Sequence, residues 1–146
     1  MTEKKGAKGF SDAEKAAMKE RAAELKAEAK RGKDRAKGEK ELLSKVEAMP
    51  MADRTIAEKI HALVKEHAPD LMPKTMYGMP AYANDAGKNV CFFQAASKWD
   101  TRYAALVFED PAKLDDGDMW PTSFAIKTWT PAVEKKIAAL MQKALS

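Results

Sequence analysis

The chain has 146 residues, of which 45% are hydrophobic and 33% charged, and it carries a net charge of +4 at pH 7. That length suits a single domain able to bury a real core, and no apolar run approaches the roughly 18 residues of a membrane span. The lone Cys91 excludes an intramolecular disulfide and a cysteine-based metal cluster, and the start Met1-Thr2-Glu3-Lys4-Lys5-Gly6 lacks the apolar stretch of a secretory leader, so a cytoplasmic protein without membrane contact is expected.

Charge and aromatic content divide the chain. Residues 1–47 hold 14 Lys and Arg against 10 Asp and Glu, whereas residues 48–146 hold 12 of each, so the whole net charge lies in the first segment. Phe10 is the only aromatic before Tyr77; the other ten fall between Tyr77 and Trp129. The expected organisation is a charged, Ala/Lys/Glu-rich helical extension over 1–50, mobile or docked weakly, and a core-bearing domain over 51–146.

Ser11-Asp12-Ala13-Glu14 matches a capping box, in which Ser11 and Glu14 satisfy each other's free N–H groups, and predicts a helix over 12–31 that stops near Gly32. Its apolar seam is Met18, Ala22, Leu25 and Ala29, at i, i+4, i+7, i+11. Residues 32–38 read as a linker, with Lys33, Arg35 and Lys37 as a modest positive spot. Leu42, Leu43, Val46 and Met49 then make a fuller helical face that ends at Pro50. Asp53 reads as the N-cap of a helix over 54–67, whose Ile56, Ile60, Leu63 and Val64 form a stripe for a core.

Tyr77-Gly78-Met79-Pro80-Ala81-Tyr82 follows the helices and is the strongest local punctuation. Gly78 permits positive φ and Pro80 fixes its own φ, so the chain turns there with a tyrosine on each side. Asn84-Asp85-Ala86-Gly87-Lys88 is a hairpin-type loop that makes Ala81–Ala83 and Asn89–Ala95 antiparallel neighbours. Val90–Phe93 and Tyr103–Phe108 are unbroken apolar runs, expected to be covered on both faces or curled round a pocket. Trp120–Lys127 reads as a further extended segment. Thr130-Pro131 opens a last helix with Val133, Ile137, Leu140, Met141 and Ala144 on one face. The fold class is α+β: an antiparallel sheet of about five strands packed with helices from both chain ends.

The stretch Tyr77–Tyr82, preceded by His67-Ala68-Pro69-Asp70, resembles the signature of the YdhG-like family of uncharacterised domains, and Asp115-Asp116-Gly117-Asp118-Met119-Trp120-Pro121-Thr122 resembles a longer subset of it. The resemblance covers about Asp53 to Ala144. It implies a small antiparallel sheet packed with helices at both ends. Some members are described as frataxin-like iron chaperones, which implies ferrous iron held by surface carboxylates. Helix 54–67 carries only Glu58 and Glu66, so that reading rests on the densest acidic cluster, Glu109, Asp110, Asp115, Asp116 and Asp118.

Other chemistry is argued mainly by elimination. His61 and His67 are six apart, about 120° round a helix, and do not chelate as an i, i+4 pair would; His67 reads as a helix-end histidine. Cys91 sits in an apolar run with no electropositive neighbour, so it reads as structural. There is no phosphate loop, no dinucleotide fingerprint, no nucleophile elbow and no Cys-x-x-Cys. The leading expectation is a non-enzymatic, chaperone-like domain that binds a small apolar molecule or a protein beside Tyr77, Met79, Tyr82 and Trp120, with no cofactor. The alternatives are the iron chaperone and an interaction protein using the basic N-terminal arm. Charges of both signs alternate along that arm and no aromatic lies among its lysines, which disfavours nucleic acid.

Overall fold

The structure is a computed structural model and describes residues 10–32 and 34–146; residues 1–9 of the extension and Lys33 of the positive spot lie outside the described residues. It is α+β, with helices α1 (Asp12–Arg31), α2 (Arg35–Glu47) and α3 (Met51–His67), then strands β1 (Met72–Met76), β2 (Met79–Ala83) and β3 (Asn89–Gln94). A short helix α4 (Ala96–Trp99) precedes β4 (Ala104–Phe108) and β5 (Ser123–Ile126), and α5 (Pro131–Ala144) closes the chain. The five strands form one antiparallel meander in the order β1-β2-β3-β4-β5. None of the described helices is long and apolar enough to cross a membrane.

Tyr82 pairs with Cys91, which pairs with Phe108, and Phe93 pairs with Leu106, which pairs with Phe124; alternation puts all of these on one face of the sheet. That face joins Leu42 and Val46 of α2, Ile56, Ile60, Leu63 and Val64 of α3, and Ile137 and Met141 of α5 in a single core cluster. The unbroken run Val90–Phe93 has a specific cause. The register shifts opposite Tyr82/Ala83, leaving Val90 as an extra residue, so Val90 and Cys91 both enter the core. Phe92, half-buried, falls on the opposite face beside Ala81 and Val107.

The turn at Tyr77–Gly78 is the two-residue loop of the β1–β2 hairpin, closed by the pair Met76 and Met79. Tyr77 has φ 51° and Gly78 φ 77°, the two successive positive values of a type I′ turn. The approach to the turn is itself a strand, β1. Pro73 is tolerated there because β1 pairs only with β2 and forms an edge of the sheet.

Two local expectations change. The linker over 32–38 is shorter: α2 already begins at Arg35, because the Asp34 carboxylate accepts the Lys37 N–H and caps it. Asp53 does not cap its own helix, which starts two residues earlier behind Pro50. Instead it is buried and its two carboxylate oxygens accept the N–H groups of Ala96 and Ser97, both at 3.1 Å, pinning α4 to α3. The capping box at Ser11 and Glu14 and the Thr130 cap with Pro131 behind it form as read.

Candidate functional site

One cavity of about 130 Å³ is framed by α2, α3 and the start of the sheet. Arg35 and Glu39 come from α2, and His61, Val64 and Lys65 from α3. Ala68, Pro69 and Leu71 come from the connection that follows, Pro73 from β1 and Tyr82 from β2. Helical spacing explains why the polar members arrive together. Arg35 and Glu39 lie at i and i+4 ahead of the core residues Leu42 and Val46, and His61 lies between Ala57 and Val64 on the same stripe of α3. The two helices thus bring these polar groups into contact at the wall of the cavity.

Those groups form a continuous line of hydrogen bonds. Tyr82 Oη lies 2.8 Å from His61 Nδ1, His61 Nε2 lies 2.7 Å from Glu39 Oε2, and Lys65 Nζ donates to the same Oε2 at 3.0 Å. An ionised carboxylate only accepts, so His61 Nε2 carries a hydrogen, and in the neutral imidazole Nδ1 accepts the Tyr82 O–H. The hydrogen bond from His61, and then that from Lys65, hold the Glu39 carboxyl below its usual value. Burial pushes the Tyr82 hydroxyl well above its usual value, with smaller contributions from Cys91 and Glu39. The order carboxylate, imidazole, hydroxyl is also that of an acyl-transfer triad, and here burial favours the protonated hydroxyl at rest.

The rest of the lining is apolar and fixed. Arg35 is held back from the cavity centre, donating to the carbonyls of Leu71 at 2.6 Å and Asp70 at 3.3 Å. With Lys65 and Pro69 it is exposed, so these three form the rim. Val64, Ala68, Leu71, Pro73 and the Tyr82 ring form buried walls.

Of the candidate ligand and metal residues Tyr77, Met79, Tyr82, Trp120, Glu109, Asp110, Asp115, Asp116 and Asp118, Tyr82 alone reaches this cavity. Tyr77 stands at the hairpin turn, 36% exposed, with the Arg21 guanidinium 5.8 Å from its ring centroid. Met79 is buried on the sheet face opposite Tyr82, and Trp120 packs half-buried against the core cluster from the far end of the sheet. Glu109, Asp110, Asp115, Asp116 and Asp118 are all exposed, and among the described residues no three His, Cys, Asp or Glu side chains come together in a group that could hold a metal ion. Cys91 is fully buried, its thiol pushed up to about 12 by burial and, less, by Glu109. His67 sits at the end of α3, its Nδ1 3.2 Å from Gln142 Nε2.

Sequence reasoning weighed His61 only as a partner for His67 and passed over Glu39, so the two residues that make the line were not brought together. The usable signal was their position, each polar on an otherwise apolar stripe, which marks a buried polar group that must find a partner. Searches of known proteins add no analogy: the chain matches no family model, no curated protein and no solved structure.

Proposed function

We propose that this domain binds a small, largely apolar molecule in the cavity between α2, α3 and the β1–β2 hairpin, its polar atom turned to the Tyr82–His61–Glu39 line. The observation that carries this reading is the cavity itself: apolar walls with one organised polar line, the usual construction of a small-ligand site. Its size sets the ligand class. A cavity of ~150 Å³ accommodates benzene, so about 130 Å³ admits a single ring or a short branched chain, with any larger substituent leaving past Lys65 and Pro69. The site recognises one polar atom through this line of hydrogen bonds. On this reading the stretch that resembles the YdhG-like signature acts as a hairpin that delivers Tyr82.

Phenol, titrated into the full chain and followed by NMR, tests the proposal. Binding should shift the signals of Val64, Leu71 and Tyr82, and Ala68→Leu, which fills the cavity, should abolish those shifts while unfolding stays cooperative. No shifts at millimolar phenol, or unchanged shifts in Ala68→Leu, would sink it.

A further inference from the structure

Helix α1 is attached to the domain the opposite way round from an ordinary amphipathic helix. Its apolar seam faces out, with Met18 and Leu25 43% and 50% exposed and Ala22 and Ala29 exposed beside them. Its inward stripe consists of Glu20, Glu24 and Glu28, at i, i+4 and i+8, all partly buried. Helical geometry spaces such residues about 6 Å apart along the axis, and each carboxylate meets its own receptor. Glu20 lies 3.3 Å from both Lys45 of α2 and Lys98 of α4. Glu24 accepts the backbone N–H of Tyr77 at 2.5 Å and of Gly78 at 2.6 Å. Glu28 takes Lys74 of β1 at 2.7 Å. Arg21 adds a hydrogen bond to the Thr75 carbonyl on the same strand.

The receptor is built for anions independently of α1. Two successive residues of positive φ aim their N–H groups to one side of the hairpin turn, the backbone concavity that binds anionic groups elsewhere. With α1 in place Lys74 on the edge strand is buried, its charge met by the Glu28 carboxylate. The occupant, by contrast, is weakly held. It is held by polar contacts alone, since no large apolar side chain of α1 faces the body, and an isolated helix of this length is marginal in water. Vacating the groove removes the Glu20, Glu24 and Glu28 carboxylates from three lysines and two amides, and an occupant with carboxylates at the same spacing restores those contacts.

We propose that this groove, formed by the edge of β1, its hairpin turn, Lys45 and Lys98, is a receptor for an acidic helix of a partner protein, with α1 as the resident competitor. A helix fits better than a nucleic acid strand, because the groove already seats one and its central contact is a pair of fixed amides matched to the two oxygens of a single carboxylate. This surface is separate from the cavity, and neither proposal depends on the other.

The test uses the full chain carrying Glu20→Ala, Glu24→Ala and Glu28→Ala, which empties the groove, and a fluorescent synthetic peptide of residues 10–32, which carries the same stripe of three glutamates. By anisotropy, the peptide should bind the substituted chain at least tenfold more tightly than the unaltered one. The binding should weaken as salt rises and disappear when Lys74→Gln and Lys98→Gln are added. A cooperative unfolding transition in every variant shows that the domain is intact. Equal affinity for the two chains, binding to neither, equal binding of a peptide with the same three glutamates replaced by alanine, or an oligonucleotide that outcompetes the peptide would each overturn the proposal.

Discussion

Helices α1 and α3 flank the same sheet and are held to it by opposite chemistry. Helix α3 turns Ile56, Ile60, Leu63 and Val64 into the core and admits one imidazole, His61, which is satisfied on both nitrogens. Helix α1 turns three carboxylates inward and leaves its apolar seam in water. The first attachment is non-directional and insensitive to salt; the second is directional and screened by it. A helix held as α3 is becomes part of the domain, whereas one held as α1 is can be exchanged.

The largest expected difference comes from deleting buried carbon. Ile60 is fully buried, so Ile60→Ala should cost about 2–5 kcal/mol, from lost transfer energy plus the cavity left behind. Urea denaturation gives the value. A cost under about 1 kcal/mol would mean that α3 is not anchored by its stripe, and the contrast with α1 would collapse.

Next comes the polar line in the cavity wall. Tyr82→Phe keeps the shape of the ring and removes only the O–H that His61 Nδ1 accepts, leaving a buried nitrogen unpartnered at a cost of about 1–3 kcal/mol. The Glu39 end adds a pH signature. Its carboxyl is held below its ordinary 4.5, so its stabilising contribution is complete above that value and is lost as pH falls from there through the lowered folded value. Glu39→Gln should therefore be less stable than the unaltered chain at neutral pH, and the gap between the two denaturation midpoints should narrow below pH 4.5. A gap that stays constant on acidification would show that the His61 and Lys65 contacts do not favour the ionised form.

These two helices also show what the sequence made legible. The periodicity of α3 and α5, the capping residues Ser11 and Thr130, and the turn signals at Gly78 and Gly87 are local properties, and they carried the α+β class and most of the element order. The missed features are relations between distant residues. Asp53 looked like a cap for its own helix because Asp favours that position, but its partners are the N–H groups of Ala96 and Ser97, more than 40 positions away. The seam Met18–Ala29 is too sparse to promise more than a mobile or weakly docked helix; the inward face is instead set by the three glutamates, since the surface they meet offers lysines and backbone amides. Glu39 and His61 lie 22 positions apart, and nothing in either neighbourhood announces the other.

The hairpin turn lies at the junction of the two regimes. Gly78 holds φ 77°, and a Cβ there would meet the Glu20 carboxylate at 2.5 Å. Gly78→Ala should cost about 1 kcal/mol through the left-handed backbone. It should also raise hydrogen exchange in α1 more than in α3, because the added methyl displaces Glu20 from between Lys45 and Lys98. Equal changes in the two helices would show that α1 opens only when the whole domain unfolds.

The smallest expected effect is the sharpest check on the comparison. Leu25→Ala removes as much apolar volume as many severe core substitutions, yet Leu25 is half exposed on the outer side of α1 and alanine is the better helix former. Its effect on stability should stay within about 0.5 kcal/mol, against several-fold more for Ile60→Ala in α3. The same substitution in 1 M salt separates the two ways α1 could be held. At that ionic strength the Debye length falls to about 3 Å and exposed ion pairs are screened. If the carboxylates hold the helix, its amides lose exchange protection equally in the unaltered and Leu25→Ala chains. If α1 instead stays protected in high salt and Leu25→Ala costs ~2 kcal/mol, its apolar seam is the buried face, and α1 and α3 are attached by the same chemistry after all.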